Sequence, residues 1–253
     1  MKSLFRRFFT FLIDLLAKSQ PRLFFGHLLK KYLKELIRHL TAEVKPSGTW
    51  ENAVLPDKIE GFGDLVFLFW SSILNRGIAR LNLNEAAAIY RIVKSFPTAS
   101  GVEIGRRMGG SSLLLAFAVG EKGKLLSIDI KPRGDEGLIK TLRKYGLYKR
   151  VELLTADANQ IEREDKFDFV FIDGDHSYTG AKKDHLKWGA KVKVGGFIFH
   201  HDMSKTSEFA VQHSELKRLR EDILKHQGEE LELFLEADSL CVFRRKSDEW
   251  NSF

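Results

Sequence analysis

The sequence has little of two residue types that would define common classes of protein. It contains one cysteine, Cys241, and five prolines in 253 residues. A single cysteine excludes an internal disulfide framework and a zinc site built from several cysteines, so we expect a reducing, cytoplasmic compartment. The low proline content, together with 43% hydrophobic and 30% charged residues, excludes collagen-like and disordered chains and allows a sizeable core.

Long apolar runs are absent from the N-terminal segment. The stretch Phe8–Ile13 is followed by Asp14 and is far shorter than the roughly 20 apolar residues that a membrane-spanning helix needs. Asp14 would also interrupt the apolar part of a secretory signal, and no clear small-x-small cleavage site follows it. The sequence therefore favours neither a spanning helix nor a cleaved signal.

Net charge is confined to the same segment. Residues 1–48 contain ten Lys or Arg and three acidic residues, which accounts for the whole net charge of +7. Because the rest is neutral, we expect a local anionic surface rather than nucleic acid as its partner. In residues 1–40, six phenylalanines accompany polar side chains at helical spacing, which predicts basic amphipathic helices. Packing on the chain's own core, contact with a second protomer and peripheral membrane attachment all stay open.

After residue 49, short apolar runs alternate with helical patterns. Residues 49–96 are predicted to be a helical cap that shapes the substrate pocket, with helices over Leu65–Leu74 and after Asn84 as an N-cap. In residues 97–253 the predicted helices cover 111–119, 136–145, 179–190 and 208–226. The predicted strands are Gly101–Ile104, Lys124–Ile128, Val151–Leu154, Phe167–Ile172, Phe197–Phe199, Leu231–Glu236 and Leu240–Arg244. This alternation predicts an α/β fold with a doubly wound, mostly parallel seven-stranded sheet that ends in an antiparallel hairpin.

Glycines and acids collect where the first three predicted strands end, which is where such sheets bind ligands. Gly105 and Gly109 let the backbone approach a ligand, and the N–H groups around Ser111 at a helix N-terminus suit an anionic group. Asp129 can accept both hydroxyls of a ribose, and Asp157 can accept from an adenine amino group. Either acid could instead cap a helix or lie in a solvated turn. The glycine spacing is not G-x-G-x-x-G, which disfavours a nicotinamide-dependent oxidoreductase.

Six ionisable side chains follow the fourth and fifth predicted strands: Asp173, Asp175, His176, His200, His201 and Asp202. If these strands are neighbours, the six side chains converge at one edge of the sheet. Three carboxylates and three imidazoles could bind a divalent metal and still leave a base.

These motifs together resemble a known family. They read Val-Glu103-Ile-Gly-x-x-x-Gly-Gly-Ser, Ser-Ile-Asp129, Ala-Asp157, Phe-Ile-Asp173-Gly-Asp-His-Ser-Tyr and Gly-Gly-Phe-Ile-Phe-His-His-Asp202. Over about residues 97–245 the chain resembles class I S-adenosylmethionine-dependent methyltransferases with a Rossmann-like fold. Within that class it is similar to the Asp-Gly-Asp-His-Ser-Tyr group, which includes macrocin-type sugar O-methyltransferases.

The resemblance implies S-adenosylmethionine as cofactor and a role for each matching residue. Glu103 and Gly105 would border its methionine part, Asp129 would hold its ribose and Asp157 would lie at its adenine. For the metal-dependent members of the group, the pattern implies a divalent ion, magnesium or manganese, and a histidine base.

Asp173 and His176 match the first metal ligand and the general base of that pattern. Asp202 matches a second ligand, and His201 stands where the family has another carboxylate.

The implied reaction is O-methylation of a small-molecule or sugar hydroxyl. An Asn/Asp-Pro-Pro-aromatic turn, expected of enzymes that methylate nucleobase amines, is replaced by Asp-Gly-Asp-His. The competing interpretation is a catalytically idle cofactor-binding fold that serves as a tethered binding module.

Overall fold

The computed structural model describes residues 48–69, 77–204 and 214–253. The chain divides into two compact units, Met1–Pro46 and Ser47–Phe253. The predicted amphipathic helices of residues 1–40 lie outside the described residues, as do parts of the helices predicted over Leu65–Leu74 and 208–226. No helix in the described ranges is long and apolar enough to cross a membrane.

Seven strands form one sheet, as predicted. Their bounds are β1 Ser100–Ile104, β2 Lys124–Asp129, β3 Val151–Thr155, β4 Phe167–Ile172, β5 Val192–His200, β6 Leu231–Ala237 and β7 Leu240–Arg245. The strand order is β3-β2-β1-β4-β5-β7-β6. Strands β1 to β5 run parallel to one another, and β7 runs antiparallel between β5 and β6. This confirms the predicted Rossmann-like, doubly wound sheet with a closing hairpin.

Helices cover both faces of this sheet. The α-helices are α1 Leu83–Lys94, α2 Gly110–Ala118, α3 Asp135–Lys144, α4 Tyr178–Gly189 and α5 Ser214–His226. Short 3-10 helices span Trp50–Asn52, Phe62–Leu68, Tyr148–Arg150 and Ala158–Gln160. Because strand side chains alternate between faces, β4 sends Phe169 and Phe171 into one buried layer, and Val170 and Ile172 into the other. Such two-sided burial explains why the central strands are continuous apolar runs.

Several boundaries differ from the predictions for identifiable reasons. Helix α1 begins at Leu83 with Asn82 as N-cap, not after Asn84, because the Glu85 carboxylate accepts the Asn82 N–H at 2.7 Å. Residues 62–68 form a 3-10 helix rather than the start of an α-helix. Strand β5 begins at Val192, earlier than predicted, and Gly195 adopts a φ of +83° where the pairing with β4 shifts register.

Candidate functional site

The loop between β1 and α2 lies against the end of β4. Gly105 has a φ of +87°, and a Cβ there would come within 2.2 Å of the Asp173 carbonyl oxygen. Gly109 has a φ of +80° and caps the N-terminus of α2. Both positions therefore require glycine, and the loop passes directly beside the first residue of the Asp-Gly-Asp-His motif.

Asp129 organises this loop from the end of β2. Its Oδ2 accepts the backbone N–H groups of Arg106 at 2.9 Å and Arg107 at 2.7 Å, and its Oδ1 accepts that of Lys131 at 2.6 Å. A carboxylate has about four acceptor positions, so these three bonds do not exhaust it. Asp129 can therefore hold the loop in place and also accept hydroxyls of a ligand.

Arg106 is a structural residue that the sequence did not single out. Its guanidinium is buried and binds both carboxylate oxygens of Asp135 at 2.8 and 2.7 Å. It also donates to the carbonyl oxygens of Ser127 at 3.0 Å and Leu154 at 2.7 Å. One side chain thus joins the glycine loop to β2, β3 and the first turn of α3, a task that suits the rigid fork of arginine.

Glu103 and Ser111, both predicted to bind the cofactor, are bonded to each other. The fully buried Glu103 carboxylate accepts the hydroxyls of Ser111, Ser112 and Ser127, each at 2.5 Å. Burial raises the pKa of Glu103, against the opposing effect of these hydroxyls. Here the carboxyl fixes the start of α2 against β1 and β2. Its contact with a cofactor stays a prediction.

Asp157 takes the helix-capping position that the sequence left open. Its Oδ1 accepts the Asn159 N–H at 2.9 Å at the start of a 3-10 helix. The Asn159 amide in turn donates to Asp184 Oδ1 at 2.9 Å, and Asp184 is buried on α4. One capping bond leaves Asp157 further acceptor positions.

The ends of β4 and β5 bring four of the predicted residues together. His201 Nδ1 lies 3.1 Å from Asp173 Oδ1 and 3.5 Å from Asp202 Oδ2. His176 Nε2 lies 3.4 Å from Asp173 Oδ1, and its Nδ1 lies 3.9 Å from Asp202 Oδ2. The neighbouring strands β4 and β5 therefore place two imidazoles and two carboxylates in one cluster at the carboxyl edge of the sheet.

Charge coupling within this cluster sets its protonation. Burial disfavours the charged form of His201, but Asp173 and Glu85 outweigh it and raise the pKa of His201 well above its usual range. Burial likewise opposes ionisation of Asp173, yet the two histidines lower its pKa. The hydrogen bond to Asp173 raises the pKa of His176, which burial opposes. Oppositely charged neighbours thus compensate for burial.

Two of the six grouped residues lie elsewhere, which corrects the prediction that all six converge. His200 turns to the opposite face of β5, because successive strand residues alternate, and its Nε2 lies 3.0 Å from Nδ1 of His185. Asp175 lies in the loop before α4, where its Oδ1 accepts the N–H of the N-cap residue Ser177 at 2.8 Å.

Asp173, His201 and Asp202 present one nitrogen and two carboxylate ligand atoms within 4.8 Å of one another. Asp202 is held there with a φ of +59°, a left-handed conformation that is uncommon for residues other than glycine. This separation and donor set fit a divalent cation. An imidazole in the set suits borderline metals better than a purely oxygen-seeking ion.

Glu85 is a member of the site that the sequence marked only as an acid in the first turn of a helix. Its Oε2 lies 3.3 Å from His201 Nε2, and its Oε1 accepts the N–H of Ser239 at 2.8 Å and the hydroxyl of Ser239 at 2.5 Å. Burial opposes its ionisation, but His201 and Ser239 lower the pKa of Glu85. No local motif could have revealed these contacts, because 116 residues separate Glu85 from His201.

Part of the chain is similar to a known family of methyltransferase domains. Residues 102–203 match the model of a family described as a methyltransferase domain. This range contains most of β1, all of β2 to β5 and both halves of the His/Asp cluster.

Curated proteins named as methyltransferases are similar to about half of the chain. The chain is 29% identical over 133 residues to caffeoyl-CoA O-methyltransferase 2 of Petunia hybrida, covering 48% of this chain and 52% of that protein. It is 29% identical over 123 residues to tapetum-specific methyltransferase 1 of Arabidopsis thaliana, covering 46% and 52%. The chain thus spans about half the length of the curated relatives it matches.

Among solved structures, the fold is similar to a candidate caffeoyl-CoA O-methyltransferase from Staphylococcus aureus. The TM-score is 0.56 at 14% identity, over 94% of this chain and 98% of that one. Cofactor-bound Rv0187 from MTB superimposes with a TM-score of 0.55 at 17% identity, over 66% and 81%. These likenesses establish the fold.

Proposed function

We propose that the protein is an S-adenosylmethionine-dependent O-methyltransferase that acts on a hydroxyl of a small molecule. The observation that carries the proposal is the convergence of His176 with Asp173 and Asp202 beside the glycine loop. The names of the curated relatives favour a hydroxyl as acceptor. A phenolic hydroxyl, as in a caffeoyl group, and a sugar hydroxyl, as in the macrocin-type enzymes, are the two acceptor classes that we put first.

The cofactor would lie over the ends of β1 to β3. Asp129 keeps acceptor capacity for the ribose hydroxyls, and Asp157 has acceptor positions beyond its capping bond. Ile130, directly after Asp129, exposes 73% of its surface and offers an apolar face to a planar ring. When bound, S-adenosylmethionine supplies a methyl group on a positively charged sulfur.

The residues of this chain would then align the acceptor and remove its proton. His176 is the only half-exposed imidazole of the cluster, while His201 is buried. In the transfer the carbon–sulfur bond breaks, the oxygen–methyl bond forms, and the hydroxyl proton passes to the His176 ring. Proton removal by a positioned base contributes typically 10²–10⁴-fold in rate.

Asp173, His201 and Asp202 would hold a divalent cation in this proposal. When bound, such an ion would lower the pKa of a nearby hydroxyl. His176 Nε2 lies 3.4 Å from Asp173 Oδ1, beside the residues that would hold the ion.

The test is intact-mass screening of the full chain with S-adenosylmethionine and pooled phenolic and sugar acceptors. We expect a product heavier by one methyl group. We expect His176→Ala to lower turnover by roughly 10²-fold or more while cofactor affinity, measured by calorimetry, stays nearly unchanged. Conversely, we expect Asp129→Ala to weaken cofactor binding by about 1–3 kcal/mol through lost hydrogen bonds.

Exposed His226 provides a matched control, and His226→Ala should change neither quantity. Cofactor binding without methyl transfer to any acceptor would favour the idle binding module instead. Full turnover by His176→Ala would remove the base from the mechanism, and full turnover after exhaustive chelation would remove the metal.

A further inference from the structure

We propose that Glu85 is a positioning residue that holds His201 with its Nε2 protonated and its Nδ1 facing Asp173 and Asp202. The consequence is a site with one imidazole and two carboxylates that selects a borderline transition-metal ion over magnesium. The metal preference rests on the metal in the proposed function, whereas the orientation of His201 does not.

The contacts of Glu85 come from three separate parts of the fold. Its side chain is buried, with 1% of the residue exposed. The N–H of Asn82 at the start of α1 donates to Oε2, and the turn between β6 and β7 donates to Oε1 through the N–H and hydroxyl of Ser239. His201, just beyond the end of β5, is the third neighbour, with Nε2 3.3 Å from Oε2.

These contacts leave one arrangement for the His201 ring. The Glu85 carboxylate only accepts, so a hydrogen bond to it needs a proton on Nε2. Ser239 Oγ, 3.3 Å from the same nitrogen, already donates its own proton to Glu85. Nδ1 points the other way, 3.1 Å from Asp173 Oδ1 and 3.5 Å from Asp202 Oδ2. In the metal-free protein Nδ1 also faces an acceptor, Asp173 Oδ1, so this nitrogen carries a proton as well. A metal ion that replaces that proton would bind Nδ1 between the two carboxylates, while Nε2 still donates to Glu85.

A carboxylate behind a histidine has a known effect on metal sites. It fixes the tautomer and the ring orientation and increases the basicity of the ligating nitrogen. Imidazole suits zinc, iron, cobalt and nickel, whereas magnesium prefers oxygen ligands. An imidazole supported by Glu85, in place of a third oxygen ligand, therefore shifts the preference of the site toward transition metals.

Metal binding to the full chain tests the metal preference of the site, with Co²⁺ as probe and Mg²⁺ as competitor. We expect visible absorption from bound Co²⁺ that excess Mg²⁺ does not remove. Glu85→Gln should weaken Co²⁺ binding about 10–100-fold, the range for losing such a partner. The amide has one oxygen and cannot accept from every donor that Glu85 serves. Glu121→Gln, at an exposed position, is the matched control and should leave binding unchanged. Equal Co²⁺ affinity in Glu85→Gln and wild type, or easy displacement by Mg²⁺, would overturn this statement.

Histidine-selective ¹⁵N NMR of the metal-free protein tests the orientation by itself, with the signals assigned by His201→Gln. We expect a hydrogen-bonded proton on Nε2 of His201 in wild type, and its loss or transfer in Glu85→Gln. An Nε2 without a proton in wild type would refute the positioning role, even if the variant fails to fold. If wild type binds neither Co²⁺ nor Mg²⁺, the metal in the proposed function is wrong, and the NMR result still decides the role of Glu85.

Discussion

At the scale of single residues, four of the described histidines form two pairs with opposite chemistry. His176 and His201 lie among carboxylates, and both have raised pKa values. His185 lies behind the sheet, where Nδ1 contacts His200 Nε2 at 3.0 Å and Nε2 contacts Gln227 Oε1 at 2.6 Å. Burial lowers the pKa of His185 to about 4, although the Gln227 contact opposes the shift.

This low pKa predicts acid sensitivity. An unfolded histidine takes up its proton near pH 6.5, whereas folded His185 does so only near pH 4. The unfolded state therefore binds more protons between these values, so the stability from neutral His185 is complete above about pH 6.5 and declines toward pH 4. The full loss corresponds to about 3 kcal/mol, and urea unfolding at several pH values measures it.

Variants separate this effect from general acid unfolding. We expect His185→Phe to lower stability at neutral pH but to flatten the dependence on pH between 6.5 and 4. Substitution of the exposed His226 by Gln controls for the loss of a histidine elsewhere. A slope in His185→Phe equal to that of wild type would contradict the assignment.

At the scale of elements, helix α4 begins inside the motif that contains the proposed base His176. Ser177 is its N-cap, and its Oγ accepts the Gly180 N–H at 3.1 Å. Ser177→Ala should cost about 1 kcal/mol of stability, because a helix N–H loses its partner. Ser177→Asp should retain the cap and most of the stability. Chemical denaturation measures both variants, and equal losses would show that the cap contributes little.

The elements also show how far sequence patterns reach. Apolar runs bounded by turns predicted all seven strands and their mostly parallel arrangement, because both faces of the sheet are buried. Alternation along β5 placed His200 away from His201, although the two are adjacent in the chain. The predicted strand ended at Phe199, one residue before the observed end of β5 at His200. His200 was therefore expected to lie in the loop with His201 and Asp202.

Long-range contacts explain the remaining differences in the site. Glu85 and Ser239 are 154 residues apart, and each reads locally as a cap or turn residue. Arg106 likewise reads as a loop residue, although its guanidinium holds the ends of two strands and α3. Only the assembled sheet brings such partners together, so spacing along the chain does not reveal them.

At the scale of the whole molecule, the net charge predicts attachment to an anionic membrane surface through residues 1–40. These residues lie outside the described residues. That segment carries the excess of basic residues beside six phenylalanines. Each Lys or Arg near an anionic leaflet contributes about 1 kcal/mol, and inserted aromatic side chains add apolar burial. We expect the full chain to float with anionic liposomes, more weakly at high salt, and to stop floating when residues 1–40 are deleted.

Neutral liposomes are the control for the electrostatic part. A full chain that stays at the bottom with anionic vesicles at low salt would assign the segment to the protein's own core or to an oligomer interface. Cofactor binding by the deletion variant checks that the rest of the chain is intact.

The position of β7 bears on how the protein is made. Because β7 lies between β5 and β6, the edge of β5 finds its neighbour only after the ribosome has added the last strand. Until then the nascent chain exposes an unpaired edge of the largely apolar β5, which is prone to aggregate. The turn that carries Ser239 directly precedes β7, so the contact that supports His201 through Glu85 forms only after the first six strands have been synthesised. A nascent chain therefore contains the residues of the proposed site before the sheet that positions them is complete.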